Sequence, residues 1–252
     1  MTPSGYLQNP SGKGSSFVPT ATIRGNLNDQ YATLYRDIKA RYYIVDDARL
    51  ICHVGIPSRS VKDLRYDVIL EFNIKDLPPE VTNISHLEFK CFSNCPSFVY
   101  TYAHVFKRNG LLCNWLALKY PVEVMTDKPN TRNSQMIISY ERSLYLALKF
   151  MVNDGRNRLS FLTKLAEKVD SNQSIIKWVK PFDLVMERYG KAIDTKKKEE
   201  RDKKPTVSNM VGRKSTHTSK SAISKVKSTK SSGSITKTVA KKTSKIKSTR
   251  KI

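Results

Sequence analysis

The chain has 252 residues, 45 Lys and Arg against 22 Asp and Glu, four cysteines and a formal net charge of +23. That length allows one or two domains with a real hydrophobic core, and the counts exclude a disulfide scaffold, a dominant acidic tail and a membrane protein. The charge is polarised: residues 195–252 carry +16, which leaves +7 for residues 1–194.

Met1-Thr2-Pro3-Ser4-Gly5 shows no basic segment followed by an apolar one, so the sequence predicts no secretory signal. The longest nearly apolar stretch, 144–152, contains Lys149 and is too short to span a bilayer. No membrane partner is expected. Without a secretory route, Cys52, Cys91, Cys95 and Cys113 read as reduced thiols, and the acceptor patterns at Asn83 and Asn172 carry no weight.

Residues 1–19, rich in Pro, Gly and Ser, predict a flexible arm. Asn28-Asp29 then caps a predicted helix to about Tyr42, with Tyr31, Leu34, Tyr35 and Ile38 as its apolar stripe. Strands follow. Leu50, Cys52, Val54 and Ile56 alternate with their neighbours, Tyr66, Val68, Leu70, Phe72 and Ile74 do so more clearly, and Leu87, Phe89 and Cys91 mark a third. The β-branched and aromatic run 97–106 predicts another strand, and Asn109-Gly110 a turn. The run 111–120 fits helix or strand equally. Helices are predicted from 144 to about Asp154-Gly155, over 159–169, and over 175–179 and 182–193 around Pro181. A helix, an antiparallel-rich sheet, then helices make an α+β domain of residues 20–193.

Residues 194–252 predict a disordered basic tail. From 203 to 252 there are 15 basic residues, no acidic residue and 19 serines or threonines, too little apolar surface to offset conformational entropy. The stretch 224–230 recurs imperfectly at 244–250. Such a chain can lie along a polyanion and release counterions without reading sequence. Arg213, Lys214, Lys220, Lys225, Lys227, Lys230, Lys237, Lys241, Lys242, Lys245, Lys247, Arg250 and Lys251 are its candidate contacts to nucleic acid, DNA more than RNA.

Chemistry in the body has thinner candidates. Cys91 and Cys95 stand at a spacing used by structural zinc, but no second ligand pair accompanies them. Cys95 and His104 lack a third residue to orient a nucleophile pair. Asp67 on the clearest strand, with Glu88 and Lys90 on the next, resembles the acid and E-x-K core of PD-(D/E)xK nucleases, which would hold Mg²⁺. Tyr66 stands where that family has proline. Gly12-Lys13-Gly14 lacks the spacing of a phosphate loop. Phe98, Tyr100 and Tyr102 form either a base-stacking platform or, as favoured here, part of the core.

The stretch Cys91-Phe92-Ser93-Asn94-Cys95-Pro96-Ser97-Phe98-Val99-Tyr100-Thr101-Tyr102-Ala103, with Asn109-Gly110-Leu111-Leu112, Ile56-Pro57-Ser58 and Tyr66-Asp67-Val68-Ile69-Leu70-Glu71-Phe72, resembles segments of virion-associated proteins of tailed bacteriophages. The resemblance implies a structural or packaging-associated protein in a virion or host cytoplasm, and carries over no catalytic residue. The expected function is therefore non-enzymatic: a body that docks on virion or host proteins and a tail that touches nucleic acid, with no cofactor. A metal-dependent nuclease and a host-directed interaction protein are the alternatives.

Overall fold

The computed structural model describes residues 1–11, 20–122, 133–153 and 155–202. The fold is α+β. Helices α1 (Pro3–Gln8) and α2 (Thr20–Leu34) precede strands β1 (Lys39–Val45), β2 (Arg49–Pro57), β3 (Arg65–Asn73) and β4 (Phe89–Ser93). Then come α3 (Pro96–Thr101), α4 (Ala103–Arg108), a 3₁₀ helix (Asn114–Lys119), α5 (Arg142–Val152), α6 (Leu159–Leu165), β5 (Glu167–Val169), α7 (Asn172–Ile176) and α8 (Phe182–Asp202).

The sheet runs β4-β3-β2-β1-β5, an antiparallel meander of four strands with β5 added parallel to β1. Register follows from the alternation in the sequence. Leu50, Cys52, Val54 and Ile56 of β2 sit opposite Phe72, Leu70, Val68 and Tyr66 of β3 and so share one face, which Phe89, Cys91 and Ser93 of β4 extend. The other face carries Ile51, His53 and Gly55, opposite Glu71, Ile69 and Asp67, and then Lys90 and Phe92. Residues 66–70 are all buried, so unlike a half-solvated meander this sheet is covered on both sides.

Helix α5 covers the first face: Ser143 Oγ meets Ser93 Oγ at 3.0 Å, and Leu144 to Leu148 are buried. The second face is covered by the 3₁₀ segment and by the run from α7 to α8. Trp115 Nε1 donates to Glu71 Oε2 (2.5 Å), the Phe92 and Tyr120 rings lie 4.8 Å apart, and Lys180 N–H reaches Asp67. The outer edge of β4 is protected as well. Asn109-Gly110 turns the chain, with Gly110 at φ +70°, and the following residues pair with that edge: Cys91 N–H donates to Leu111 O and Cys113 N–H to Cys91 O. Between β1 and β2, Asp46 and Asp47 both take positive φ (53° and 48°) and Ala48 N–H closes the turn on Val45 O. Two successive left-handed residues match the right-handed twist of the flanking strands.

The chain departs from the sequence reading at five places. Residues 1–11 are packed rather than an arm. Pro3 opens α1, where its missing N–H is no loss, and Thr2 Oγ1 accepts from Gly5 N–H. Tyr6 is fully buried against Phe89, Phe106 and Tyr140; its hydroxyl donates to Ser139 O and accepts from Glu141 N–H. Residues 12–19 lie outside the described residues. Second, Asn28 caps no helix but sits inside α2, accepting from the Tyr145 hydroxyl, and α2 ends at Leu34. The Tyr42-Tyr43-Ile44-Val45 run belongs to β1, where aromatic and β-branched side chains suit the sheet. Third, the predicted strand 97–106 is helical. Pro96 starts α3, and Phe98 and Phe106 meet with ring centroids 5.3 Å apart across α3 and α4, so tertiary packing overrides local preference. Fourth, the helix predicted over 159–169 stops at Leu165, after which β5 pairs with β1. Last, residues 194–202, assigned to the tail, continue α8 to Asp202, with Thr195 Oγ1 donating to Lys191 O.

The cap of α5 ties the N-terminal segment to the core. Glu141 Oε2 accepts from Leu144 N–H (2.8 Å) and Ser143 Oγ (2.6 Å), while Glu141 N–H is held by Tyr6. Tyr6→Phe, which orphans Glu141 N–H and Ser139 O, is expected to destabilise the fold by about 1–2 kcal/mol in urea unfolding, and Tyr6→Ala by about 3–5 kcal/mol. Both variants unfolding like the wild type would mean that the segment does not pack.

Candidate functional site

The second sheet face holds a buried polar node built around Asp67. Gly55 stands opposite Asp67 and brings no side chain, and the Arg65 stem passes over it. Asp67 Oδ1 accepts from His53 Nε2 at 3.0 Å, and Oδ2 accepts from Asn94 Nδ2 at 3.1 Å and Lys180 N–H at 3.0 Å. Because a carboxylate only accepts, His53 Nε2 is the donor; Nδ1 of that ring is buried without a hydrogen-bond partner among the described residues. Asn94 closes the arrangement, accepting from Asp67 N–H (2.8 Å) and donating to Lys180 O (3.1 Å). The Lys180 ammonium lies 3.9 Å from Oδ1 and donates to Arg65 O.

Burial raises the Asp67 pKa, but the His53 hydrogen bond and charge, with the Lys180 N–H and ammonium, outweigh it and hold the carboxyl below its ordinary value. Asp67 is thus an ionised clamp between β3, the end of β4 and the segment leading into α8.

The nuclease set is not assembled. Glu88 precedes β4, is 87% exposed and pairs with the Met1 ammonium at 3.1 Å, while Lys90 stands opposite Glu71. Glu71 is four residues along β3 from Asp67, roughly 13 Å away. Neither Glu88 nor Lys90 reaches the Asp67 carboxylate, whose two oxygens are already occupied. Among the described residues no group of three or more His, Cys, Asp or Glu is placed to hold a metal ion. Cys91 lies on the core face beside Leu70, and Cys95 precedes α3. Burial pushes the Cys91 thiol well up, and burial with the nearby Glu141 charge pushes Cys95 up to about 12, which disfavours the thiolate that zinc requires.

The aromatic trio divides. Phe98 is core, Tyr102 is half-buried, and Tyr100 is 53% exposed, edge-on to Phe182 at 5.4 Å; with Phe98 and Tyr100 on α3 and Tyr102 between α3 and α4, the three share no strand face.

The sequence gives no signal for what the clamp presents outward. Arg41, opposite His53 on β1, places its guanidinium 5.4 Å from the centroid of the Trp178 ring, and Trp178 is 59% exposed. Lys39 stands two residues from Arg41 on the same face, opposite Gly55. Arg65 crosses Gly55 to donate to Asp37 O, and Lys177 and Lys180 flank the indole in sequence. The thirteen basic residues of the tail, Arg213 to Lys251, lie outside the described residues. No helix among the described residues is long and apolar enough to cross a membrane. The chain matches no family model, no curated protein and no solved structure.

For a carboxyl whose native pKa is depressed, the stability it contributes is complete above the ordinary carboxylate range and is lost as pH falls through the native value. Asp67→Asn, which sets an amide N–H₂ against donors, is therefore expected to cost about 2–4 kcal/mol at pH 7. The gap to the wild type should close as the pH drops through and below the ordinary carboxylate range in urea titrations at stepped pH. A gap of constant size would assign Asp67 no such charge.

Proposed function

We propose that this chain is a non-enzymatic, virion-associated interaction protein, whose body docks on protein partners while the Lys-rich stretch 203–252 binds nucleic acid without sequence preference. The observation that carries the reading is charge segregation: 15 basic residues and no acidic one in the last 50, against a body of 202 residues that is only mildly basic, at +8. The resemblance of the middle of the body to phage virion proteins supports the setting. A non-catalytic reading is further supported by the occupancy of Asp67, whose oxygens serve the fold.

Lysines outnumber arginines in this stretch, which favours point-charge contacts with phosphates over bidentate contacts with base edges. A body that fixes location and a tethered polycation that adds contacts would bind a packaged genome by avidity. The reading is tested by titrating duplex DNA over a salt series, with Mg²⁺ present, using the full chain and a chain ending at Asp202. Full-length binding should weaken by about 10²-fold or more between 50 and 200 mM salt, and the shorter chain should lose most duplex affinity. Undiminished duplex binding by the shorter chain, or any cleavage, would overturn this division of labour.

A further inference from the structure

We propose that the Arg41–Trp178 surface of the body is a stacking site for single-stranded nucleic acid. It is a second contact, distinct from the polycationic stretch and independent of it.

The indole is exposed yet rigidly mounted. Its neighbours Ile175 and Val179 are buried, Trp178 N–H donates to Ile175 O and Val179 N–H to Ile176 O, and two residues on Lys180 N–H is fixed to Asp67. The indole itself is 59% exposed on a backbone anchored on both sides, so its ring is open to a ligand. A ring held this way loses little conformational freedom on binding.

The surroundings are cationic. Lys39 and Arg41 lie about 7 Å apart along one face of β1. The Arg65 stem passes over Gly55, and the Lys180 ammonium donates to Arg65 O. Asp67, the carboxylate beneath them, is already matched by His53 and Lys180. Glu167, opposite Tyr43 on β5, and Asp37, whose carbonyl accepts from Arg65, are acids that border the patch. Cations spaced to follow a phosphate backbone, beside an aromatic ring and a guanidinium plane, are what sequence-tolerant single-strand binding requires. A duplex hides its base faces and offers this surface phosphates alone. An anionic membrane asks for a contiguous apolar face, whereas Trp178 stands among Arg41, Lys177 and Lys180. Beyond Tyr189 the chain has no aromatic residue, so stacking has to come from the body.

The test uses the full chain throughout, with a 20-nucleotide oligo-dT, a 20-base-pair duplex and phosphatidylserine-containing vesicles as probes. Oligo-dT should quench tryptophan fluorescence in the wild type. Trp178→Ala should remove most of that quenching and weaken oligo-dT binding about tenfold, with duplex affinity within twofold of wild type. Trp178→Phe, which keeps a π-face, should restore most of the affinity and guards against a folding defect, to be checked by far-UV circular dichroism. The double variant Lys39→Gln/Arg41→Gln should lower the oligo-dT salt slope by about 0.7 per cation removed. Wild-type oligo-dT affinity in Trp178→Ala, an equal loss for duplex and single strand, or Trp178-dependent binding of vesicles alone would each overturn the proposal. Duplex binding that depends on residues 203–252 is read separately, so the two sites can fail independently.

Discussion

Both oxygens of the Asp67 carboxylate are taken by groups from three other parts of the chain: the His53 imidazole on β2, the Asn94 amide after β4, and the Lys180 backbone before α8. An ionised carboxylate taken out of water without such partners would cost several kcal/mol, so the node forms as a unit or fails as one. Its geometry explains why a segment with only short helices lies flat on the sheet. Ile175 and Val179 supply apolar burial, and the hydrogen bonds to Asp67 and Asn94 fix where that burial occurs. The exposed indole and the paired guanidinium above it are consequences of that placement.

The two sheet faces are organised differently. The first is apolar and joins α5 to the N-terminal residues, with Tyr6 and Glu141 as the polar join. The second is polar at one end, where His53, Asp67 and Asn94 meet, and closed at the other by Trp115 on Glu71 and Phe92 on Tyr120. The polar end is the one that opens onto Lys39, Arg41 and Trp178.

The central meander was legible in the sequence because its signal is local. Alternation along 50–56 and 66–74 sets each strand, and the shared burial of Leu50, Cys52 and Val54 with Phe72, Leu70 and Val68 sets the register. The α+β class follows from the order of those signals. What could not be read depends on distant partners. Pro3, Gly5 and Pro10 look like an arm until Tyr6 finds Phe89 and Tyr140. Residues 98–102 have strand composition and become helical because Phe98 packs on Phe106 behind Pro96. Asp67 attracts notice as an acid on a strong strand, but its partners lie 14, 27 and 113 residues away, and no spacing announces them. Trp178 and Arg41 are separated by most of the fold, so their pairing leaves no trace in either neighbourhood.

The four thiols record how the domain opens. Cys52 lies in the central strand β2, Cys91 in β4, Cys113 beside that edge, and Cys95 at the start of α3; all are free and buried. Burial raises each thiol pKa, so a disulfide reagent is denied both access and the thiolate it needs. Modification of any one of them must wait for a local or global excursion from the native state, and its rate reports the free energy of that excursion. Ordinary cysteines with no chemistry of their own thus become four internal clocks, set at the centre, the edge and the helical border of a single sheet.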